Sequence, residues 1–173
     1  VETDNATAII VTSAERARDL RQRPIYIMGV VGRVTKARGD TFYNDAPITA
    51  VAGKYAAPRV FGMAGVTPED IHLTGSYDAF TFTTMLQLED YGFCKKGEGG
   101  DFVASAALRM GGRLPTNTSG GQLSEAHVEG MLQVVEGARQ MRHTYPAERQ
   151  VKDAEIALVS GHGGNQALAS RIS

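Results

Sequence analysis

Short, nearly continuous apolar runs punctuate the chain and predict its strands. Three of them cover residues 7–13, 24–34 and 155–160. Runs of this length suit strands that are covered on both faces, as in layered α/β folds. The charged segment between the first two runs is typical of a helix, with Ser13 as its N-cap. The pattern therefore predicts an α/β fold that opens with a β-α-β unit.

The middle of the chain predicts two helices of different character, separated by a strand at residues 71–77. Residues 46–65 have helical spacing, with an interruption expected near Pro58 and an end at Gly65. In residues 79–92, apolar side chains fall on nearly all sides of the helix. That distribution is typical of a buried helix.

The clearest amphipathic pattern runs through residues 124–141. Its apolar positions share one helical stripe: Val128, Met131, Leu132, Val135 and Ala138. Ser124 is the expected N-cap, which makes His127 the third residue of the helix. After this helix, residues 155–173 predict two strands joined by a glycine-rich turn.

Composition limits the classes of protein that fit. The 173 residues suit one domain, and 42% of them are hydrophobic, which is enough for a sizeable core. The net charge of -1 argues against a nucleic-acid or membrane-surface partner. One cysteine, Cys94, excludes an intrachain disulfide and favours a reducing compartment, the cytoplasm. There is no apolar run of membrane-spanning length, no signal-peptide pattern and no initiator methionine, so we expect a piece of a longer chain.

His127 follows a polar loop that contains Gly120 and Gly121. In the first turn of a helix, the positive end of the helix dipole disfavours imidazolium, so a neutral ring is expected. A neutral imidazole can accept a proton or donate a hydrogen bond to a developing oxyanion. The two glycines permit a close approach of backbone and substrate. The alternative is a histidine packed in an ordinary first turn, since loop-to-helix junctions with glycine are common.

The predicted turn near the C-terminus is a second candidate. It contains Gly161, His162, Gly163 and Gly164. So flexible a turn could aim His162 or backbone N–H groups into a pocket. The alternative is a surface hairpin turn.

Tyr77 and Asp78 stand where a predicted strand gives way to a helix, and ligands of layered α/β proteins gather at such strand ends. Tyr77 can donate a hydrogen bond to a carbonyl oxygen. For Asp78, a plain N-cap is the favoured interpretation. Cys94 lies beside Lys95 and Lys96, which could lower its pKa, yet a non-catalytic thiol is expected.

Three motifs resemble those of the thiolase superfamily. In "NTSGGQLSEAH" the matching positions are Asn117, Gly120, Gly121 and His127. The segment "YDAF" resembles the thiolase Asn-Glu-Ala-Phe motif, with Tyr77 at the Asn position, and "SGHGG" resembles the closing glycine-rich loop. "GVTPEDI" and "LEDYGFCKKGEGGDF" are most similar to the lipid-transfer-protein, or sterol-carrier, branch of thiolase-like proteins.

The resemblance implies that residues 1–173 form the C-terminal half of a thiolase fold, an α/β mixed sheet with helices on both faces and a buried central helix. It also implies a dimer, and an N-terminal half that supplies the nucleophilic cysteine and most coenzyme A contacts. Coenzyme A would enter as part of an acyl-CoA substrate, with no tightly bound cofactor and no metal. The implied catalytic residues are His127 and Tyr77, and the implied substrate-binding residues are Asn117, Gly120, Gly121, Gly161, His162, Gly163 and Gly164.

Two departures from the family pattern weigh against ordinary Claisen condensation. Val159 aligns with the acid/base cysteine of ordinary thiolases, and Tyr77 replaces the asparagine that helps hold a catalytic water. In the same branch, the aldolases that cleave steroid side chains as coenzyme A thioesters also lack that cysteine. They use tyrosines and pair with a small OB-fold partner that carries a zinc ribbon. Tyr77 fits that group.

The resemblance thus implies an acyl-CoA carbon–carbon bond enzyme, present here as its C-terminal half and expected to be inactive alone. The reaction would be a retro-aldol or retro-Claisen cleavage, or its reverse, in lipid or steroid side-chain metabolism. His127 would polarise the thioester oxygen and Tyr77 would act at the other oxygen. The alternative is a non-catalytic thiolase-like subunit that binds acyl-CoA or lipid and scaffolds a partner, as the missing acid/base cysteine would predict.

Overall fold

The computed structural model describes residues 4–32, 48–161 and 166–170. The helices are α1 (Ala14–Arg18), α2 (Gly53–Ala64), α3 (Thr81–Asp90), α4 (Gly99–Ala104) and α5 (Met131–Met141), with single 3-10 turns at Pro68–Asp70 and Ala147–Arg149. The strands are β1 (Tyr26–Val31), β2 (Leu73–Ser76), β3 (Ile156–Ser160) and β4 (Gln166–Ser170). Within the described ranges, no helix is both long enough and apolar enough to cross a bilayer.

The strands form one mixed sheet in the order β1-β4-β3-β2. β2 and β3 are parallel, whereas β4 is antiparallel to both β3 and β1. The predicted C-terminal pair of strands is therefore confirmed as β3 and β4. On the outer side of β2, a parallel bridge between Thr74 and Thr116 extends the sheet by one short segment. This segment leads directly into the loop that contains Asn117.

Helices cover both faces of this sheet, as predicted. Ala157 and Leu158 are consecutive residues of β3, so their side chains point to opposite faces. Leu158 packs in a core with Val60 of α2 and Leu88 of α3. Ala157 packs in a second core with Met141 of α5. The α/β fold class is thus confirmed, with α2 and α3 on one face and α5 on the other.

Helix α3 is buried along its second half, but its N-terminal end is exposed. Leu86 and Leu88 are fully enclosed, whereas Phe80 is 66% exposed and Phe82 is also exposed. The central helix is therefore partly uncovered in this chain. Aromatic side chains at the surface beside a strand end mark a place where another surface can pack.

The prediction of a strand at residues 7–13 is wrong. Among the described residues this segment has no strand partner, and its Ile10 side chain is 92% exposed. A strand forms only when its backbone groups find a neighbour, whatever its apolar content. The helix after it does form, as α1, and Ser13 caps it by accepting a hydrogen bond from the Arg16 N–H at 3.4 Å.

Pro58 does not interrupt its helix. It lies inside α2, which continues to Ala64 and ends at Gly65 with a left-handed φ of 68°, as predicted. Val60 and Phe61 after the proline and Ala57 before it are buried in the core. Tertiary packing on both sides of the proline therefore keeps the helix continuous in spite of the lost hydrogen bond.

The predicted helix at residues 124–141 begins seven residues late, at Met131. Glu129 and Gly130 have left-handed φ values of 53° and 84°, which a helix cannot accommodate. Ser124 is consequently not an N-cap. His127 lies in a loop, so the helix-dipole argument for its neutrality does not apply.

The buried face of α5 is polar rather than the predicted apolar stripe. Gln133, Glu136 and Gln140 are buried on it. Glu136 accepts hydrogen bonds from the Thr118 hydroxyl at 2.5 Å and from the Gln140 amide at 3.0 Å, and also from the Tyr145 hydroxyl. The burial of Glu136 and Gln140 is tolerated because their polar groups find partners inside the protein.

Candidate functional site

Three consecutive residues at the carboxyl end of β2 hold one loop, residues 117–130, called here the site loop. Ser76 is the first. Its N–H donates to Asn117 Oδ1 at 2.8 Å, and Asn117 Nδ2 donates to its carbonyl at 3.0 Å. The Asn117 N–H also donates to the Thr74 carbonyl at 2.9 Å. The Asn117 side chain thus continues the strand pairing of β2 and fixes the start of the loop.

Tyr77, the second of these residues, contacts His127. The phenol oxygen lies 2.6 Å from His127 Nε2, with the two rings edge to face at 71°. The backbone of Tyr77 is fixed on both sides, since its N–H donates to the Ser160 carbonyl at 2.9 Å and its carbonyl accepts from Gln87 Nε2 at 2.7 Å. The His127 side chain is 55% exposed. The two residues predicted to be catalytic therefore meet at an accessible strand end.

Asp78, the third residue, binds the site loop rather than capping α3. Its carboxylate accepts from the Gln122 N–H at 3.2 Å and from Gln122 Nε2 at 3.0 Å. The first turn of α3 is capped instead by Thr83, whose hydroxyl donates to the Phe80 carbonyl at 2.8 Å and accepts from the Phe80 N–H at 3.3 Å. The interpretation of Asp78 as an N-cap is wrong, because α3 begins at Thr81.

Gly120 and Gly121 are tightly packed against other parts of the chain. Their φ values are 96° and 71°, a region that favours glycine. A Cβ at Gly120 would lie 2.5 Å from Ser124 Oγ, and one at Gly121 would overlap the Asp78 carboxylate. The close approach expected from this glycine pair is therefore made, in the described residues, to the chain itself.

The electrostatic environment keeps Tyr77 protonated. Burial raises the pKa of its phenol above the ordinary value, and the carboxylates of Glu129 and Asp78 raise it further. A phenol that keeps its proton can donate to the unprotonated nitrogen of a neutral imidazole, and His127 Nε2 fills that role in the tautomer that carries its proton on Nδ1. Glu129 Oε1 is 3.8 Å from the same Nε2. A proton that reaches the imidazole would thus face a carboxylate.

The predicted glycine-rich turn is described only at Gly161. Its carbonyl accepts a hydrogen bond from the Tyr91 hydroxyl at 3.4 Å. The buried Gln87 side chain accepts from Tyr91 and from Ser160, both at 3.2 Å, and so connects this turn to Tyr77. His162, Gly163 and Gly164 lie outside the described residues.

Val159 lies within β3, in the strand predicted at residues 155–160. It pairs with Gly75 of β2, and a Cβ at Gly137 of α5 would sit 3.6 Å from its Cγ2. Its side chain therefore packs toward α5, on the same face of the sheet as Gly75. An apolar side chain in this position cannot exchange a proton.

Cys94 lies apart from this site. Burial raises the pKa of its thiol, as do the carboxylates of Glu89 and Glu98, while Lys96 acts in the opposite direction. A thiol with a raised pKa is a poor nucleophile at neutral pH, which agrees with the expected non-catalytic role. The described residues also contain no cluster of three or more His, Cys, Asp or Glu side chains suited to a metal ion.

The sequence does not predict the residues whose side chains hold Tyr77 and Asp78 in place. Gln87 and Gln133 lie in no motif, and Gln122 lies inside the motif at residues 117–127 without being one of its matching positions. The amides of all three are ordinary polar groups until the fold encloses them. Asp78 stands out in the sequence, but with the wrong expected partner. The sequence feature that points to these contacts is the glycine pair, because a loop that requires glycine at positions 120 and 121 packs closely against other parts of the chain.

Comparison with known proteins places these features in one family. The family model described as "Thiolase C-terminal domain-like" matches residues 35–172. The chain is 44% identical over 169 residues to a protein of Mycobacterium tuberculosis named 17-hydroxy-3-oxo-4-pregnene-20-carboxyl-CoA lyase, covering 94% of this chain and 42% of that protein. It is 40% identical to the steroid side-chain-cleaving aldolase of Thermomonospora curvata, again covering 94% of this chain and 42% of the relative.

A solved structure shows the same fold. The protein named "Ltp2-ChsH2(DUF35) aldolase" superimposes with a TM-score of 0.83 at 36% identity, covering 91% of this chain and 42% of that one. The chain therefore spans about two fifths of the length of the relatives it matches. From the matched profile, the shared fold and the motifs around Tyr77 and His127, the chain belongs to the thiolase C-terminal domain-like family.

Proposed function

We propose that this chain is the C-terminal half of an acyl-CoA carbon–carbon lyase of the retro-aldol type, in which Tyr77 and His127 act as one proton-transfer pair. The observation that carries the proposal is the 2.6 Å contact between the Tyr77 phenol and His127 Nε2 at the open end of β2. The names of two relatives, a carboxyl-CoA lyase and a steroid side-chain-cleaving aldolase, support the same class of reaction.

Tyr77 and His127 together can carry out the proton transfers that a retro-aldol cleavage requires. The substrate is a thioester with a tertiary hydroxyl group on the β-carbon. Tyr77 takes the hydroxyl proton as its own proton passes to His127 Nε2, the Cα–Cβ bond breaks, and the bonding electrons move into the thioester enolate. The β-carbon leaves as a ketone, and the pair returns one proton to the α-carbon of the enolate. Atoms and charge then balance without a co-reactant.

In this proposal the roles of His127 and Tyr77 differ from those that the motif implies. The motif alone predicts that His127 meets the thioester oxygen directly, whereas its Nε2 faces Tyr77. We therefore assign Tyr77 to the substrate hydroxyl and His127 to the proton behind it. The Glu129 carboxylate, 3.8 Å from Nε2, would stabilise the positive ring while it holds that proton.

Val159 supports cleavage by retro-aldol rather than by Claisen chemistry. Thiolytic cleavage needs an acid/base group to activate coenzyme A, and the aligned side chain has no proton. Retro-aldol cleavage needs no thiol. Substrate contacts from Gly161, His162, Gly163 and Gly164 remain part of the proposal.

The whole protein would consist of this half, an N-terminal half and a second copy. The solved relative is named for two components, Ltp2 and ChsH2(DUF35). A small OB-fold partner with a zinc ribbon therefore remains part of the proposal. Coenzyme A belongs to the substrate and not to a resident cofactor.

The test is a product assay on the full-length protein with its partner. A β-hydroxyacyl-CoA should be cleaved to a ketone and a shorter acyl-CoA without consumption of free coenzyme A. A matched β-ketoacyl-CoA, which requires thiolysis, should not be cleaved. Cleavage of the keto substrate with uptake of coenzyme A would replace the proposal with a thiolase. Tight acyl-CoA binding without turnover of either would favour the non-catalytic subunit, which Val159 also fits.

A further inference from the structure

Asp78 fastens both ends of the segment that carries His127. Gln122 Nε2 donates to Asp78 Oδ1 at 3.0 Å, and Gln133 Nε2 donates to the same oxygen at 3.4 Å. The Gln122 N–H adds contacts of 3.3 and 3.2 Å to the two carboxylate oxygens. Gln122 and Gln133 are thus both bound to the carboxylate of Asp78. Tyr77, which precedes Asp78 in the chain, contacts His127.

Local hydrogen bonds alone do not place His127 against β2. Within the segment, the Ser124 and Glu125 N–H groups donate to the Gly121 carbonyl, both at 3.1 Å, and the Met131 N–H donates to the Val128 carbonyl at 3.1 Å. These bonds shape turns, but none of them connects the segment to the sheet. The hydrogen bonds that Asp78 accepts do connect it to the sheet, because Asp78 follows Tyr77 and lies two residues after the end of β2.

The same arrangement leaves two buried acceptors without partners among the described residues. They are Gln122 Oε1 and Gln133 Oε1, and Gln133 is only 3% exposed. Their orientation is forced, because turning either amide would bring its oxygen against the carboxylate. An unpaired buried polar atom costs roughly 1–3 kcal/mol. Both glutamines therefore keep the orientation in which their Nε2 groups donate to Asp78 Oδ1.

The length of the Asp78 side chain matches this task. A Cβ at Gly121 would overlap its Oδ2, so the loop backbone already lies against the carboxylate. One extra methylene, as in glutamate, would push the loop away. A neutral asparagine would keep the shape but turn an N–H donor toward the donors of Gln122 or Gln133.

We propose that Asp78 is a positioning residue, which closes the 122–133 segment through Gln122 and Gln133 and thereby holds His127 Nε2 against the Tyr77 phenol. The structural part of this proposal stands on the contacts alone. Its kinetic consequence rests on the proposed function.

The experiment is Asp78→Asn in the full-length protein, followed by nitrogen-15 NMR of the histidine rings and by kinetics. In the unaltered protein, the His127 signal should report a proton on Nδ1 and a hydrogen-bonded Nε2. Asp78→Asn should shift it to the mixed tautomers of a free ring. The kcat should fall roughly 10- to 100-fold, because a small misplacement of a catalytic group costs that much, and KM should change little.

Asp90→Asn is the matched control. Asp90 also holds a loop through a backbone N–H, that of Val51 at 2.6 Å, but it lies at the other end of α3. Its replacement should lower stability while the His127 signal and kcat persist. If Asp78→Asn fails to fold, Gln133→Leu, which removes one donor and one orphaned oxygen together, should still shift the His127 signal without lowering the melting temperature.

A double variant separates positioning from general damage. In a His127→Ala background, Asp78→Asn should reduce kcat little further, since it acts through the ring that is already gone. An equal loss in both backgrounds, or an unchanged His127 signal in Asp78→Asn, would overturn the proposal. If His127→Ala alone leaves turnover intact, the proposed function fails instead, and the NMR signal alone decides whether Asp78 positions the ring.

Discussion

Tyr77 Oη and His127 Nε2 lie 2.6 Å apart although 50 positions separate the two residues along the chain. The contact forms because β2 ends at Ser76 and the site loop is fastened to the residues on either side of Tyr77. It joins a donor that keeps its proton to a base that can receive it. This pair is the centre of the proposed chemistry.

The pH dependence of turnover should report the charge beside Tyr77. Burial, Glu129 and Asp78 all raise the pKa of its phenol, since each disfavours the negative phenolate. Glu129→Gln removes one of these charges, so the pKa of Tyr77 should fall and the alkaline limb of the kcat profile should move to lower pH. An ultraviolet titration of the phenolate, with Tyr77→Phe as the blank, measures the shift directly. An unmoved alkaline limb would show that Tyr77 does not set it.

Gly121→Ala should abolish the closed loop. The new methyl group would overlap the Asp78 carboxylate and would also occupy a left-handed φ of 71°. Gly65→Ala is the control, because Gly65 has a similar φ of 68° with no atom within 4 Å of its Cβ position. The control should lose only the cost of the left-handed backbone, about 1–2 kcal/mol. Thermal unfolding and turnover of both variants check this, and equal effects would contradict the account.

Asn117 shows what the sequence can and cannot predict. The motif marks Asn117, Gly120, Gly121 and His127 as one group, and the structure does bring that group to Tyr77. The motif does not reveal that Asn117 and the glycines hold the loop to β2, since their partners, Ser76 and Asp78, are identifiable only once the chain is folded.

The fold errors share a physical cause. Residues 7–13 have the composition of a strand but no partner in the described chain, and composition cannot supply one. Residues 124–130 have helical spacing, yet Glu129 and Gly130 adopt left-handed backbone, so that His127 reaches Tyr77. In both segments the tertiary contacts, or their absence, override the local sequence pattern. The second segment, residues 124–130, lies at the candidate site.

Val159→Cys should be tolerated in the full-length protein but should not create thiolase activity. Cys and Val have similar volumes, so the loss of stability should stay below about 1.5 kcal/mol. The thiol would lie between the sheet and α5, close to Gly137. Denaturant unfolding and a thiolysis assay test the two parts. A loss above ~2 kcal/mol would mean that Val159 is a tightly packed core residue.

The isolated chain should be inactive and should self-associate. Ile10 is exposed on the N-terminal segment, and Phe80 and Leu123 are exposed near the site, Leu123 at 96%. Apolar surface of this kind favours association. Light scattering should show oligomers that Ile10→Lys reduces without loss of secondary structure. Turnover of an acyl-CoA by the purified 173-residue chain would contradict the half-site account.

The most direct test of the central claim is the turnover of the full-length His127→Ala variant, alone and combined with Tyr77→Phe. We expect kcat to fall roughly 100- to 1000-fold with KM nearly unchanged, as for loss of a general acid–base group. The melting temperature should change little, since the ring is half exposed and α5 begins only at Met131. The double variant should lose less than the product of the single losses, because both groups serve one proton transfer. Unchanged turnover with a melting temperature lowered by many degrees would contradict the account and make His127 a packing residue.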